Sequence, residues 1–127
     1  MFGFFGMFGR AEELKALDRA LTAVGVPGRA VPDAVELATL RQLQAETGHR
    51  TPDDDAYAGA AELIGYCLLG PQGLADAGAG DRVDAVEARI DAAVAAGDSL
   101  DARLLLLALH ADLIQPDVVE RYDLRAD

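Results

Sequence analysis

His49 and His110 are the only histidines in the chain, and neither stands in a pattern that makes imidazole a catalyst or a ligand. His49 and Arg50 fall in a predicted interhelical loop. In an up-and-down helical arrangement the loop at Gly97, Asp98 and Ser99 lies at the same end, so these polar residues share one surface. A Ser-His-Asp hydrolase needs its serine oxygen presented on a strained turn against the imidazole. Ser99 instead opens an ordinary predicted helix, and no G-x-S-x-G elbow is present. The surface therefore reads as caps and ion pairs. His110 has no histidine four residues away and no E-x-x-H partner, as a metal-carboxylate bundle requires. One cysteine and two histidines cannot build a zinc site. Gly3, Gly6 and Gly9 follow no predicted strand, so they are not a dinucleotide fingerprint. No catalytic residue, cofactor or metal is expected, and the reading leans away from an enzyme.

Carboxylates recur at two places. Asp53, Asp54 and Asp55 are consecutive, and successive helix positions splay by ~100°, so their oxygens do not converge on a cation. They read as helix-start charges. Asp84, Glu87 and Asp91 share a helix face at steps of three and four, which reads as a solvated outer side. Cys67 lies within Leu63-Ile64-Gly65-Tyr66-Cys67-Leu68-Leu69 and reads as a small core residue, because apolar surroundings suppress the thiolate. Tyr57, Glu62, Tyr66 and His110 are the polar handles available if the third and fifth predicted helices enclose a small hydrophobic ligand.

The least ordinary feature is the start of the sequence, Met-Phe-Gly-Phe-Phe-Gly-Met-Phe-Gly-Arg. All four phenylalanines stand here, as Phe2, Phe4, Phe5 and Phe8, together with Met7. Each phenylalanine can bury roughly 150–250 Å². Glycine at every third position disfavours a free helix by ~1 kcal/mol per site. Three destinations compete for this arm: its own domain, the groove of a partner or second copy, and a membrane interface. The last would be peripheral contact only, and it lacks basic anchoring, since Arg10 is the first side-chain cation. Left wet, such a peptide is an aggregation hazard.

The elements that must position these residues are helical throughout. Leu14, Leu17, Leu21 and Val24 form one stripe of a first helix over 10–24, stopped by Gly25. Pro32 opens a second, with Leu37, Leu40 and Leu43 on its buried side and Gly48 as its stop. Thr51 as N-cap and Pro52 at the first position start a third, running to about Leu69. Past its first turn Glu62 is its only charge, so this helix should be buried all round. Ala58, Ala61 and Gly65 would let a neighbour approach it closely. Gly70 and Pro71 break the chain, and 74–80 reads as a small, glycine-rich loop. A fourth helix covers 81–96, with Val83, Val86, Ile90 and Val94 inside. A fifth, over 99–114, has Asp98 as its cap, Asp101 at the third position and four consecutive leucines from Leu104, which cover its full circumference. Pro116 opens a short sixth to about Leu124. The expected fold is all-α: a compact antiparallel bundle of five helices plus a short C-terminal sixth, in one domain over 10–127 with the aromatic/glycine arm at 1–9. The third and fifth helices should form its centre.

With 127 residues, one domain of ordinary size is expected, large enough for a core without disulfides. Twenty-two acids face 11 bases, for a net charge of −11. That field repels nucleic-acid backbones and anionic lipid, so no nucleic acid is expected as a partner. A lone cysteine fits a reducing compartment, and the arm lacks a signal peptide's basic start and cleavage site; cytoplasmic location is the expectation. The function expected is a non-enzymatic protein–protein interaction module, a small subunit or adaptor of a larger assembly. It would dock through Phe2, Phe4, Phe5, Met7 and Phe8, with Leu106, an excess leucine of the fifth helix, as a second patch. Its partner would be another protein or a second copy. The alternative is the small-ligand bundle.

Overall fold

The computed structural model describes residues 11–125. The arm, 1–9, lies outside them. The helices are α1 (Glu12–Ala23), α2 (Asp33–Thr47), α3 (Asp54–Leu74), α4 (Val83–Ala96), α5 (Leu100–His110) and α6 (Pro116–Tyr122). No strand occurs among the described residues. The bundle is all-α, five helices and a short sixth, as the periodicities predict. α3 packs against every other helix, and α5 packs on α2, α3 and α4. These two form the centre.

Helix ends show where local chemistry decides. Gly48 and Gly97 take the left-handed conformation and donate back to Gln44 and Ala93, closing α2 and α4. The start of α3 differs from the sequence reading. Asp53, not Thr51, is the N-cap, its carboxylate accepting from the Ala56 N–H at 2.9 Å. A carboxylate caps better than a threonine hydroxyl, and Pro52 is buried just ahead of the helix. Ser99, not Asp98, caps α5, accepting from the Ala102 N–H at 3.1 Å. Asp98 turns instead to Arg103, at 3.3 Å.

Which side chains face inward departs from expectation in two helices. Leu37 is exposed, and the inner side of α2 is Val35, Thr39, Leu40 and Leu43. Steps of three drift by ~60° each round a helix, so the sequence 37, 40, 43 walks off the buried stripe. In α4, Val86, Ile90 and Ala93 are buried while Val94 is 49% exposed. Ala58 of α3 is also exposed, whereas Ala61 and Gly65 are buried. A Cβ on Gly65 would lie 3.0 Å from Val24 Cγ2, so α1 does come close there.

The break after Leu69 is resolved in an instructive way. Gly70 has φ +76° and ψ 172°, a conformation essentially confined to glycine, and the helix resumes at Pro71. Pro71 has no N–H, so the Cys67 carbonyl four residues back loses its helical donor. The Gln115 N–H donates to that carbonyl at 2.8 Å. α5 accordingly ends at His110 rather than near Ile114. Asp112 turns left-handed, Leu113 N–H closes on Ala108, and the chain is delivered to α3. The 74–80 segment is not an open loop. Leu74 is fully buried, its Cδ1 lying 3.5 Å from where a Cβ on Gly65 would stand, and 75–82 winds through π and 3₁₀ turns into α4.

Candidate functional site: an apolar groove beside a buried polar network

Positions 87 and 94 of α4 are seven residues apart and so share one edge of the helix, ~40–60° from Ile90, the nearest residue of its buried stripe. The C-terminal segment runs along that edge. At Glu87 the edge is covered. The buried Tyr66 hydroxyl donates to Glu87 Oε2 at 2.7 Å, and Arg121 of α6 pairs with the same oxygen at 2.9 Å. The Tyr122 hydroxyl lies 3.3 Å from that of Tyr66, their rings meeting edge to face at 6.4 Å. Glu87 is therefore not part of a solvated outer side; its neighbours Asp84 and Asp91 are exposed. Burial, then the bonds to Tyr122 and Glu87, push the Tyr66 hydroxyl well above its ordinary pKa.

Two turns further along, the same edge opens. Val94 stands at the rim of a groove of about 420 Å³ between α4, α5 and the chain after α6. Leu105, Leu106, Leu109 and Leu124 line it with Val94. Ala93 and Ala102 contribute small side chains to its walls, which is why a gap remains between the two helices. Leu106 is 45% exposed here, in accord with a run of leucines too long for one buried face. Among the described residues charge enters only at Asp123 and Arg125, which pair with each other at 3.1 Å. A larger cleft of about 600 Å³ lies between α1, the 25–31 loop and the start of α2. Asp18, Arg29, Asp33 and Glu36 line it together with Leu21, Val26 and Val31, so its walls are mixed, charged and apolar.

The remaining sequence-derived residues do not gather. Tyr57 and Tyr66 both belong to α3, but nine residues of helix turn them to opposite sides and separate them by about 13 Å. Tyr57 is buried, its hydroxyl has no hydrogen-bond partner among the described residues, and burial followed by nearby Glu13 raises its pKa. Glu62 accepts from Arg82 at 3.0 Å and lies 3.6 Å from Arg89. Arg89 reaches on to Asp101 at 2.8 Å, tying α3 to α4 and α5. His110 is exposed at the last residue of α5. Phe2, Phe4, Phe5, Met7 and Phe8 fall outside the described residues.

The polar loops at one end of the bundle are joined by ion pairs and caps. Arg103 donates to Gln42 at 2.9 Å and pairs with Glu46 at 3.2 Å and Asp98 at 3.3 Å. Arg50 lies 3.7 Å from Glu13, and Ser99 is occupied as a cap. Cys67 is buried, which pushes its thiol up to about 12. No group of His, Cys, Asp or Glu among the described residues could hold a metal ion. Among them, too, no helix is long and apolar enough to cross a membrane.

Sequence reasoning reached Leu106 and missed the rest of the groove. Leu124 was legible only as the end of a short helix, and Val94 was placed inside because its spacing from Ile90 fits the stripe as well as that of Ala93. No family model, curated protein or solved structure matches this chain, so the groove and the network are read from their own chemistry.

Proposed function

We propose that the chain is a non-enzymatic helical protein–protein interaction module of the cytoplasm, a small subunit or adaptor of a larger assembly, docking through its N-terminal arm. The observation that carries this reading is the groove flanked by Leu106 and Val94. The body already carries apolar surface open to a partner, between α4 and α5. The arm adds four phenylalanines and a methionine, side chains that gain most from leaving water. Docking by a glycine-rich segment costs ordering entropy, which lowers affinity for a given area and makes the contact reversible.

The test is a pull-down with the full chain and with residues 2–9 deleted, followed by mass spectrometry. Proteins captured by the full chain and lost by the shortened one support the reading. A shortened chain that stays soluble and keeps every partner overturns it. Ligand-dependent melting against a panel of lipids and cofactors separates this reading from a small-ligand bundle, which requires a shift.

A further inference from the structure

We propose that the cleft between α1, the 25–31 loop and the start of α2 is a resting seat for this chain's own arm, drawn there by the cleft's acidic lining and released when the arm docks on a partner. The inference rests on the arm-docking reading and adds what holds the arm until a partner takes it.

The arm joins the fold on the side where the cleft lies. Ala11 is the N-cap of α1, and Asp18 and Thr22, seven and eleven residues on, both line the cleft. At ~100° per residue, both positions fall within about 20° of Ala11 around the helix. Along the axis they stand roughly 10–17 Å from it. Extended chain covers roughly 3.3–3.6 Å per residue, so a chain that reverses at Gly9 and runs back along α1 spans that distance in roughly three to five residues. Phe5, Phe4 and Phe2 then come level with the cleft, with no crossing of the bundle.

The cleft matches the arm's composition. Its volume of about 600 Å³ falls in the range of roughly 300–1,000 Å³ that takes a drug-sized molecule. Leu21, Val26 and Val31 supply apolar wall for the phenylalanines. Among the described residues its charged lining is Asp18, Asp33, Glu36 and Arg29, a net charge of −2. All 22 acids of the chain lie beyond residue 10, and the ten residues ahead of Ala11 carry one side-chain charge, the cation of Arg10. The cleft therefore attracts the arm, whereas Asp123 and Arg125 cancel at the groove between α4 and α5.

Tethering selects the chain's own arm over that of a second copy. A segment joined through a few flexible residues is present at an effective concentration on the order of millimolar. A second copy must instead bring one body of net charge −11 against another. Docking within one chain also loses no overall translational freedom, so the seat needs no interface of dimer size. A partner then binds with an affinity lowered in proportion to the fraction of chains whose arm is out.

The experiment is NMR spectroscopy on the full chain with labelled phenylalanine rings and Leu and Val methyls. All four phenylalanines stand in the arm, so every phenylalanine ring signal reports on it. Ring protons should show Overhauser contacts to the methyls of Leu21, Val26 and Val31, and mixing ring-labelled with methyl-labelled chains should show that these arise within one chain. Thr22→Lys together with Asp33→Lys, both at exposed positions, turns the cleft's net charge from −2 to +1. Circular dichroism checks that this variant keeps its fold, and the ring-to-methyl contacts should be largely lost in it. Rings without contacts to the body, contacts to Leu106 and Leu109 in their place, contacts only between different chains, or contacts that the charge reversal leaves unchanged overturn the proposal. If the rings make no contact with the cleft yet deletion of the arm loses captured proteins, the seat falls and the arm-docking reading stands. If the rings sit in the cleft and deletion loses no partner, the docking reading falls and the seat stands.

Discussion

α3 and α5 are similarly apolar in sequence, yet the bundle treats them differently. α3 packs against every other helix, and the consecutive residues Leu63, Ile64, Gly65, Tyr66 and Cys67, which cover its circumference, are all buried. α5 has α2, α3 and α4 around it. Of its four consecutive leucines, Leu104 and Leu105 are buried, Leu107 is half-buried, and Leu106 is left largely wet. Apolarity around a helix states how much surface wants covering. The number and placement of neighbours decide how much is covered within the chain, and the remainder is where another molecule gains by binding.

Four substitutions press on that contrast. The largest effect belongs to the covered helix. Leu63→Ala should destabilise the fold by about 2–5 kcal/mol in urea unfolding, since the cavity has no route to collapse. Next is the break in α3. Gly70→Ala should cost about 1–3 kcal/mol, from its positive φ and a Cβ only 2.9 Å from Gln115 Oε1, with loss of amide-exchange protection at Gln115. An exchange rate at Gln115 unchanged from the parent would separate α5 and α6 from the break.

Tyr66→Phe should cost about 1–2 kcal/mol by leaving Glu87 without its buried donor. It also has a pH signature. Burial raises the pKa of Tyr66 and Tyr57 above 10.0, so the folded protein holds protons that the unfolded chain releases. Stability from these groups is full below about pH 10 and is lost as pH rises beyond it. Cys67, raised from 9.0 to about 12, acts in the same direction from about pH 9. Thermal melts should therefore fall through the alkaline range, less steeply in Tyr66→Phe; parallel slopes would count against the buried hydroxyl as a source. The smallest effect is on the uncovered helix. Leu106→Ala should move the stability of the monomer by no more than about 0.5 kcal/mol. A loss as large as that of Leu63→Ala would mean that the groove is core and would erase the contrast between the helices.

Much of the scaffold was legible in the sequence. The six helical segments, the glycine stops at Gly48 and Gly97, the break at Gly70 and the burial of α3 follow from local chemistry and period. Of the candidate site, only Leu106 was legible, because consecutive leucines cannot all face one core. Glu87 was misplaced: an acid at the edge of a buried stripe looks solvated until Tyr66 and Arg121 arrive from elsewhere in the chain. Val94 and Ala93 compete for one inward position, and spacing alone ranks neither. The caps were near misses, because several acceptors stand side by side at each helix start and one residue of slippage exchanges them.

What the sequence determined by itself is what rests on neighbours within a few residues: where helices run, where they stop, and which backbone groups are orphaned. It dictated that Pro71 would strip the Cys67 carbonyl of its donor. Only the tertiary structure decided that Gln115 would supply the replacement, that Glu87 would turn inward, and that α4 and α5 would leave an apolar cleft open between them. The reason is physical. Helical hydrogen bonds close over four residues, whereas covering a surface depends on which distant segment arrives there, and many arrangements satisfy the same local pattern.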